Sequence, residues 1–369
     1  MRIAMIGSRG FPGQRAGIER VLESICPRLV ASGKARVRVW CPTWLDYAGN
    51  TYRGVELKRA NGLRTKYGDT FTRSLRATLG ELVSDSDIVH YHAIGSAPLA
   101  LLPRLFRKRV VLTVHALDWQ RSKWSGAGKL YLRFAEWASV RVPHLTLAVS
   151  QELKDDLEQR HGRAVSYIAN GAEPRSQAPV DDIAQFGLGR RDFLLFVGRL
   201  VPEKGVHLLI EAFRRLPTDL DLRLAIAGPA WYESDYDQRL HELAGEDDRV
   251  VFLGEADDER LAELYSNCQV FVLPSDVEGM SLSMLDALAY GSAIVTSSIP
   301  PNANLVGDAG VVFDAGDVDA LEAALLAVVS DDQQAEKLRA RALARAGGEF
   351  DWDRITDQWL DAYEGVLDR

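Results

Sequence analysis

The chain has 369 residues, 47% of them hydrophobic and 26% charged, with a formal net charge of −8. Its length exceeds one ordinary domain, and its composition excludes the disordered and collagen-like classes. Three cysteines without metal-ligand spacing (Cys26, Cys41, Cys268), and no run near the roughly 20 apolar residues of a membrane span, point to a cytoplasmic protein without disulfides.

In chain order, short apolar runs alternate with amphipathic stretches. Strands are expected at Arg2–Ile6, Arg36–Trp40, Ile88–Tyr91, Val110–Val114 and Leu145–Val149, and helices near Ile18–Ala31, Leu75–Leu82, Leu99–Phe106, Lys129–Ser139 and Gln151–Arg160. A polar, Pro-containing linker then runs to about Phe186. The pattern restarts with strands at Phe193–Val197, Leu222–Ala227, Val250–Leu253, Val270–Leu273, Ala293–Thr296 and Val311–Phe313. Their crossover helices are expected near Val206–Arg215, Asp235–Ala244, Asp257–Asn267, Ser281–Tyr290, Val318–Ser330 and Asp332–Arg345.

Unbroken apolar strands separated by helices indicate parallel sheets covered on both faces. The fold class is therefore α/β, with two doubly wound domains at residues 1–178 and 179–349. Each presents a ligand edge at the carboxyl ends of its strands. A last helix within 350–369 carries Trp352, Ile355, Trp359 and Tyr363 on one face and is long enough to pack back on the first domain.

Charge divides along the same line. Residues 1–175 carry 28 Lys and Arg against 15 Asp and Glu, whereas the remainder carries 16 against 37. The basic half suits an anionic partner, or simple attraction between the halves; the acidic half argues against nucleic acid. Leu101–Arg109 mixes apolar residues with Arg104, Arg107, Lys108 and Arg109. It reads as a peripheral contact with anionic lipid or as an ordinary solvated basic face.

Three segments can carry chemistry. After the strand Val270–Leu273, a polar loop holds Glu278 and Gly279, a helix opens near Ser281, and Asp286 follows in its second turn. Helix-start amides around Gly279, Met280, Ser281 and Leu282 suit phosphate, and carboxylates accept hydrogen bonds from sugar hydroxyls. In Gly198-Arg-Leu-Val-Pro-Glu-Lys-Gly205, Arg199 and Lys204 flank a turn at a strand end, a placement suited to a diphosphate. The first strand ends in a glycine-rich turn with glycines at 7, 10, 13 and 17, which is not the dinucleotide fingerprint but brings amides near Gly17. His90 and His92 bracket Tyr91 at another strand end; they are placed on opposite faces and read as packing or acceptor contacts rather than metal ligands.

These segments carry a resemblance. G-R-L-x-x-E-K-G, followed about 75 residues later by E-G-x-S-x-x-x-L-D-A, resembles the retaining, GT-B-fold glycosyltransferases of family 4. Arg9-Gly-Phe-Pro-Gly-Gln-Arg-Ala-Gly-Ile-Glu-Arg20 and His115-Ala-Leu-Asp-Trp-Gln-Arg-Ser-Lys-Trp124 are similar to a bacterial branch that includes rhamnosyltransferases of surface-polysaccharide assembly. Two departures stand out: Asp286 takes the place of the family's second glutamate, and Ala16-Gly17 that of two glycines.

The resemblance implies two Rossmann-like domains facing across a cleft, a nucleotide-diphosphate-sugar as co-substrate, retention at the anomeric carbon and no obligatory metal or other cofactor. Glu278 would contact the donor sugar, Asp286 the ribose, and Arg199, Lys204, Gly17 and the amides of 279–282 the diphosphate. Phe252 and Gly254 would lie near the base, and His115 beside the transferred sugar. Asp118, Trp119, Lys123 and Trp124 read as an acceptor-side loop for a glycan or lipid-linked hydroxyl. A nucleotide-sugar epimerase and a non-catalytic nucleotide- or glycan-binding protein are the alternative expectations.

Overall fold

The computed structural model describes residues 1–369 except 14–16, 46, 48, 64–67, 118, 120–125, 231–234 and 369. It divides into two compact units, Met1–Asn170 with Trp352–Arg369, and Gly171–Asp351.

The first unit contains, among the described residues, an eight-stranded sheet ordered β3-β4-β2-β1-β5-β6-β7-β8. Its strands are β1 (Arg2–Ile6), β2 (Arg36–Pro42), β3 (Thr51–Tyr52), β4 (Val55–Ala60), β5 (Ile88–His92), β6 (Arg109–Val114), β7 (Leu145–Ala148) and β8 (Ser166–Tyr167). The flanking helices are α1 (Gly17–Ala31), α2 (Asp69–Leu82), α3 (Leu101–Leu105), α4 (Gly126–Ser139) and α5 (Gln151–His161). All pairings are parallel except β3 with β4. The chain runs from β1 out to β4 and returns to β5 on the other side of β1, so the order reverses between β1 and β5. Ligands of such sheets gather outside that switch point.

The second unit holds a six-stranded, all-parallel sheet, β11-β10-β9-β12-β13-β14. Its strands are β9 (Phe193–Val197), β10 (Arg223–Ala227), β11 (Val250–Gly254), β12 (Val270–Leu273), β13 (Ile294–Ser297) and β14 (Gly310–Phe313). The helices are α6 (Val206–Arg215), α7 (Asp235–Ala244), α8 (Asp258–Asn267), α9 (Leu282–Ala289), α10 (Pro300–Val306), α11 (Val318–Val329) and α12 (Asp332–Gly348). Here the switch point lies between β9 and β12, whose central residues are fully buried. Burial on both faces explains why these strands read as continuous apolar runs.

The chain then returns to the first unit as α13 (Trp352–Leu367). Its stripe of Trp352, Ile355, Trp359 and Tyr363 is buried, and Arg28 of α1 covers the Trp352 ring at 5.8 Å. Each such large side chain contributes on the order of 2–3 kcal/mol through area removed from water, which fastens the returning helix.

The crossing between units comes at Asn170/Gly171 rather than at 178. The polar segment after it already belongs to the second unit: the Arg175 amide donates to Ala289 O at 2.9 Å and the Ala178 amide to Ser266 Oγ at 3.0 Å. The helix expected over Leu99–Phe106 is also different. It is a 3-10 run, Ile94–Ala100, followed by α3, with Pro98 and Pro103 limiting a continuous amide ladder.

Candidate functional site

The second unit builds its site from the loops that follow β9 and β12. After β9, Gly198 donates its amide to Ala227 O at 2.9 Å. Gly228 (φ +147°) packs so closely that an added Cβ would lie 1.8 Å from Gly198 O. A 3-10 turn, Pro202–Lys204, then ends at Gly205 in the left-handed region (φ +68°), where a Cβ would lie 2.1 Å from Pro274 O. Only glycine allows the two loops to meet backbone against backbone here. The Asp276 amide donates to Glu203 O at 3.0 Å, which closes the contact.

This contact brings Lys204 Nζ to 2.5 Å from Glu278 Oε1, with both side chains largely buried (14% and 10% exposed). The sequence reading gave these residues separate tasks, one on phosphate and one on sugar; the structure pairs them directly. The assignments remain compatible, because a carboxylate has about four acceptor positions and an ammonium three donors. Arg199, half-buried, follows Gly198 at the same strand end.

Ser281 caps α9, its Oγ accepting from the Met284 amide at 3.3 Å. By helix geometry the amides of Leu282 and Ser283 have no intrahelical acceptor, so they leave partial positive charge at the helix start. Gly279 is buried, Met280 half-buried, and Asp286 lies one turn beyond Leu282 on the same helix face, half-buried. A cation, a carboxylate, two helix-start amides and a second carboxylate therefore line one loop–helix junction at the switch point of the sheet.

A supporting layer went unread in the sequence. Thr296 Oγ1 donates to Leu273 O at 2.9 Å, Ser297 Oγ to Ser275 O at 2.5 Å, and Asn302 Nδ2 to Ser297 Oγ at 3.1 Å. These groups pin the loop that carries Glu278. The signal was the polar run Thr296-Ser-Ser at the end of an apolar strand. Farther out, the Phe252 ring packs on His241 of α7 at 4.0 Å, so that face is already covered. Gly254 closes β11 with φ +64° and accepts from the Gly228 amide at 2.7 Å.

In the first unit the glycine-rich turn leads from β1 into α1. Among its described residues, Arg9 N donates to Glu19 Oε1 at 2.5 Å, Gly13 N to Glu23 Oε1 at 2.6 Å, and Phe11 N to Ser8 Oγ at 2.9 Å. Gly17 begins α1 and is exposed; Ala16 lies outside the described residues.

Trp119 is half-buried and engaged within the first unit. Its indole N–H donates to the buried Glu136, and Arg133 and Arg160 sit 5.0 and 5.2 Å from its ring centroid. Asp118, Lys123 and Trp124 lie outside the described residues. His115 follows β6 and meets His92, Nε2 to Nδ1, at 3.1 Å. The rings of His90 and His92 stack at 4.5 Å, on one face rather than two, as residues i and i+2 of a strand must.

Residues 181–345 match the family model described as "Glycosyl transferases group 1", and residues 15–175 that described as "Glycosyltransferase Family 4". The chain is 34% identical over 194 residues to "O-antigen chain mannosyltransferase B" of Escherichia coli, an alignment covering 52% of this chain and 51% of that protein. The chain therefore spans about half the length of that relative. It is 29% identical to "GDP-mannose-dependent alpha-(1-6)-phosphatidylinositol monomannoside mannosyltransferase" of Mycolicibacterium smegmatis, over 96% of this chain and 94% of that protein. The solved sucrose-phosphate synthase of Thermosynechococcus elongatus superposes with a TM-score of 0.85 at 20% identity, over 99% of each chain. At that identity the likeness speaks for the fold.

Proposed function

Because the chain belongs to the group 1 glycosyltransferases, family 4, we propose that it transfers a sugar from a nucleotide-diphosphate-sugar to a hydroxyl acceptor with retention, in bacterial glycolipid or surface-polysaccharide assembly. The observation that carries this reading is the Lys204–Glu278 pair at 2.5 Å beside the start of α9. Arg199, Lys204 and the amides of Leu282 and Ser283 hold the diphosphate. Glu278 takes the donor sugar's hydroxyls through its remaining acceptor positions, and Asp286 the ribose. The mannosyltransferase relatives support a hexosyl donor.

In this scheme the bond from the anomeric carbon to the diphosphate breaks while the acceptor oxygen bonds on the same face. The hydroxyl proton passes to the departing diphosphate oxygen. Fixed cations and amides stabilise the charge that gathers there, and a preorganised donor set of this kind is worth several kcal/mol. The charges come from side chains, so the scheme requires no metal.

Incubation with a panel of nucleotide-diphosphate-sugars and a bacterial envelope lipid extract, in excess chelator, tests it. Release of nucleoside diphosphate and transfer of labelled sugar with unchanged anomeric configuration are expected. Donor conversion without acceptor would mark an epimerase, and donor binding without turnover a binding protein. Turnover abolished by chelator and restored by divalent metal would contradict the metal-free scheme.

We further propose that the first unit docks on anionic lipid, which would bring it to a lipid-linked acceptor. No described helix is long and apolar enough to cross a membrane. Helix α4 buries Leu132, Ala135 and Ala138, yet on its opposite side exposes Leu130 (72%), Phe134 and Trp137. Beside it α3 exposes Leu101 and Leu105 (69%), followed by Phe106, and Arg104 bonds Val142 O just past α4. Residues 101–109 and 126–141 hold seven Lys and Arg and one acid, the buried Glu136. Apolar side chains among unbalanced cations match an anionic interface. Phe106→Glu/Leu130→Glu/Phe134→Glu is expected to lower co-flotation with phosphatidylglycerol vesicles by at least about 10-fold; flotation equal to wild type would contradict the docking face.

A further inference from the structure

The amino-terminal edge of the second sheet, opposite the loops that carry Lys204 and Glu278, holds a cavity of about 530 Å³. Ala178, Pro179, Val180, Arg190, Ser266 and Asn267 line it, all within the second unit and on the approaches to β9 and β12. Hydrogen bonds fix its wall: the Ala178 amide donates to Ser266 Oγ at 3.0 Å, Asn267 Nδ2 to Ala178 O at 3.0 Å, and Gln177 Nε2 to Tyr290 O at 2.6 Å. Arg191 donates its amide to Asn267 O at 2.7 Å and its guanidinium to Cys268 O, which pins the turn carrying Arg190. A formed cavity of this volume lies within the range of small-molecule sites.

Its lining keeps hydrogen-bonding capacity in reserve. Ser266 and Asn267 are 3% and 5% exposed. The Ser266 hydroxyl accepts from the Ala178 amide, and its own hydrogen meets no acceptor among the described residues. Asn267 donates its amide hydrogens to Ala178 O and Glu263 O, while its Oδ1 accepts from no described group. Arg190 is exposed, and its guanidinium makes no ion pair among the described residues. The carboxylates of the surrounding segments are engaged elsewhere: Glu263 by the amides of Asp181 and Ile183, Asp192 by that of Gly189, and Asp182 by Arg260. The cavity therefore offers one uncompensated cation, one hydroxyl donor and one amide acceptor beside the apolar surface of Ala178, Pro179 and Val180.

We infer that this cavity binds a hydroxylated carboxylate of the sugar-acid class. Arg190 and the Ser266 hydroxyl donate to the carboxylate, and bonds to an ionised acceptor are the stronger kind. A ligand hydroxyl donates to Asn267 Oδ1, and the C–H face of the ligand packs on Pro179 and Val180. A single cation matches a monoanion; a diphosphate would bring charge that no other group here balances. In a parallel sheet the starts of β9 and β12 lie a full strand length from the loops that follow them. The inference therefore stands apart from the roles given to Lys204 and Glu278.

Calorimetric titration of the full chain with D-gluconate, D-glucuronate and the methyl glycoside of D-glucuronate, the form that acid takes within a glycan, tests it. At least one should bind at a single site with a Kd at or below about 5 mM, and D-glucose, which lacks the carboxylate, at least about 10-fold more weakly. Arg190→Glu, at an exposed position, should leave the melting temperature unchanged and weaken the acid at least about 10-fold. Val180→Trp, which fills the cavity from its apolar side, should weaken it with Arg190 still in place. Lys204→Ala should leave it unchanged. Binding lost in Lys204→Ala and kept in Arg190→Glu would overturn the inference. So would D-glucose binding as tightly as the acids, or no binding by any of the three acids at about 10 mM.

Discussion

Lys204→Ala and Glu278→Ala are each expected to keep the fold and to lose turnover by at least about 100-fold, the scale for removing one preorganised group from a developing charge. Because the two side chains pair while largely buried, each substitution also leaves an uncompensated charge. A loss of stability of about 3 kcal/mol is therefore expected alongside, and turnover must be compared below the midpoint of unfolding. The exchanged pair Lys204→Glu/Glu278→Lys separates the two effects. It restores attraction and most of the stability, yet places a carboxylate where the diphosphate should bind, so turnover stays low. Near-normal transfer by either alanine variant would sink the assignment of this pair.

The second large effect is structural and concerns the glycines under the cradle. Gly228→Ala would set a Cβ 1.8 Å from Gly198 O, and Gly205→Ala one at 2.1 Å from Pro274 O, both at backbone angles that disfavour side chains. Neither obstacle is the flexible end of a side chain, so a strand-end loop must shift. A loss above about 4 kcal/mol is expected, on the scale of the most disruptive single substitutions. Gly316→Ala provides the contrast. Its φ is also positive (+80°), but nothing lies within 4 Å, so the cost is only the backbone strain of about 1 kcal/mol. Thermal denaturation followed by far-UV circular dichroism ranks the three. If Gly228→Ala melts no lower than Gly316→Ala, the backbone contact between the loops after β9 and β10 is wrong.

Much of the fold was legible because buried parallel strands leave an unmistakable pattern. The runs of β9 and β12, and β10 from Leu224 on, are apolar and end in Gly, Gly or Pro, so hydropathy and turn residues agree. The short β3–β4 hairpin was missed because Val55–Ala60 reads Val-Glu-Leu-Lys-Arg-Ala, a half-exposed strand whose polar residues mask its strand character. Helix α10 was missed because it opens with two prolines, which favour a helix start as readily as a loop.

At the site, Glu278, Lys204 and the capped start of α9 could be found from spacing, since each follows a strand directly. That Lys204 and Glu278 touch could not: they are 74 residues apart, and only the adjacency of β9 and β12 brings them together. The partners of the glycine-rich turn and of Trp119 were not legible either. Glu19, Glu23 and Glu136 accept from Arg9 N, Gly13 N and the Trp119 indole, and spacing alone does not show such side-chain partners. Residue type announces what a group can bind, and the fold decides what it has bound already.

Calorimetric titration of the whole chain with a panel of nucleotide-diphosphate-sugars tests the central claim most directly. At least one member should bind at a single site, and Lys204→Ala should weaken that binding by at least about 10-fold, the equivalent of one charge-assisted contact. No binding by any member, or binding unchanged by Lys204→Ala, would contradict a donor site at the junction of β9, β12 and α9.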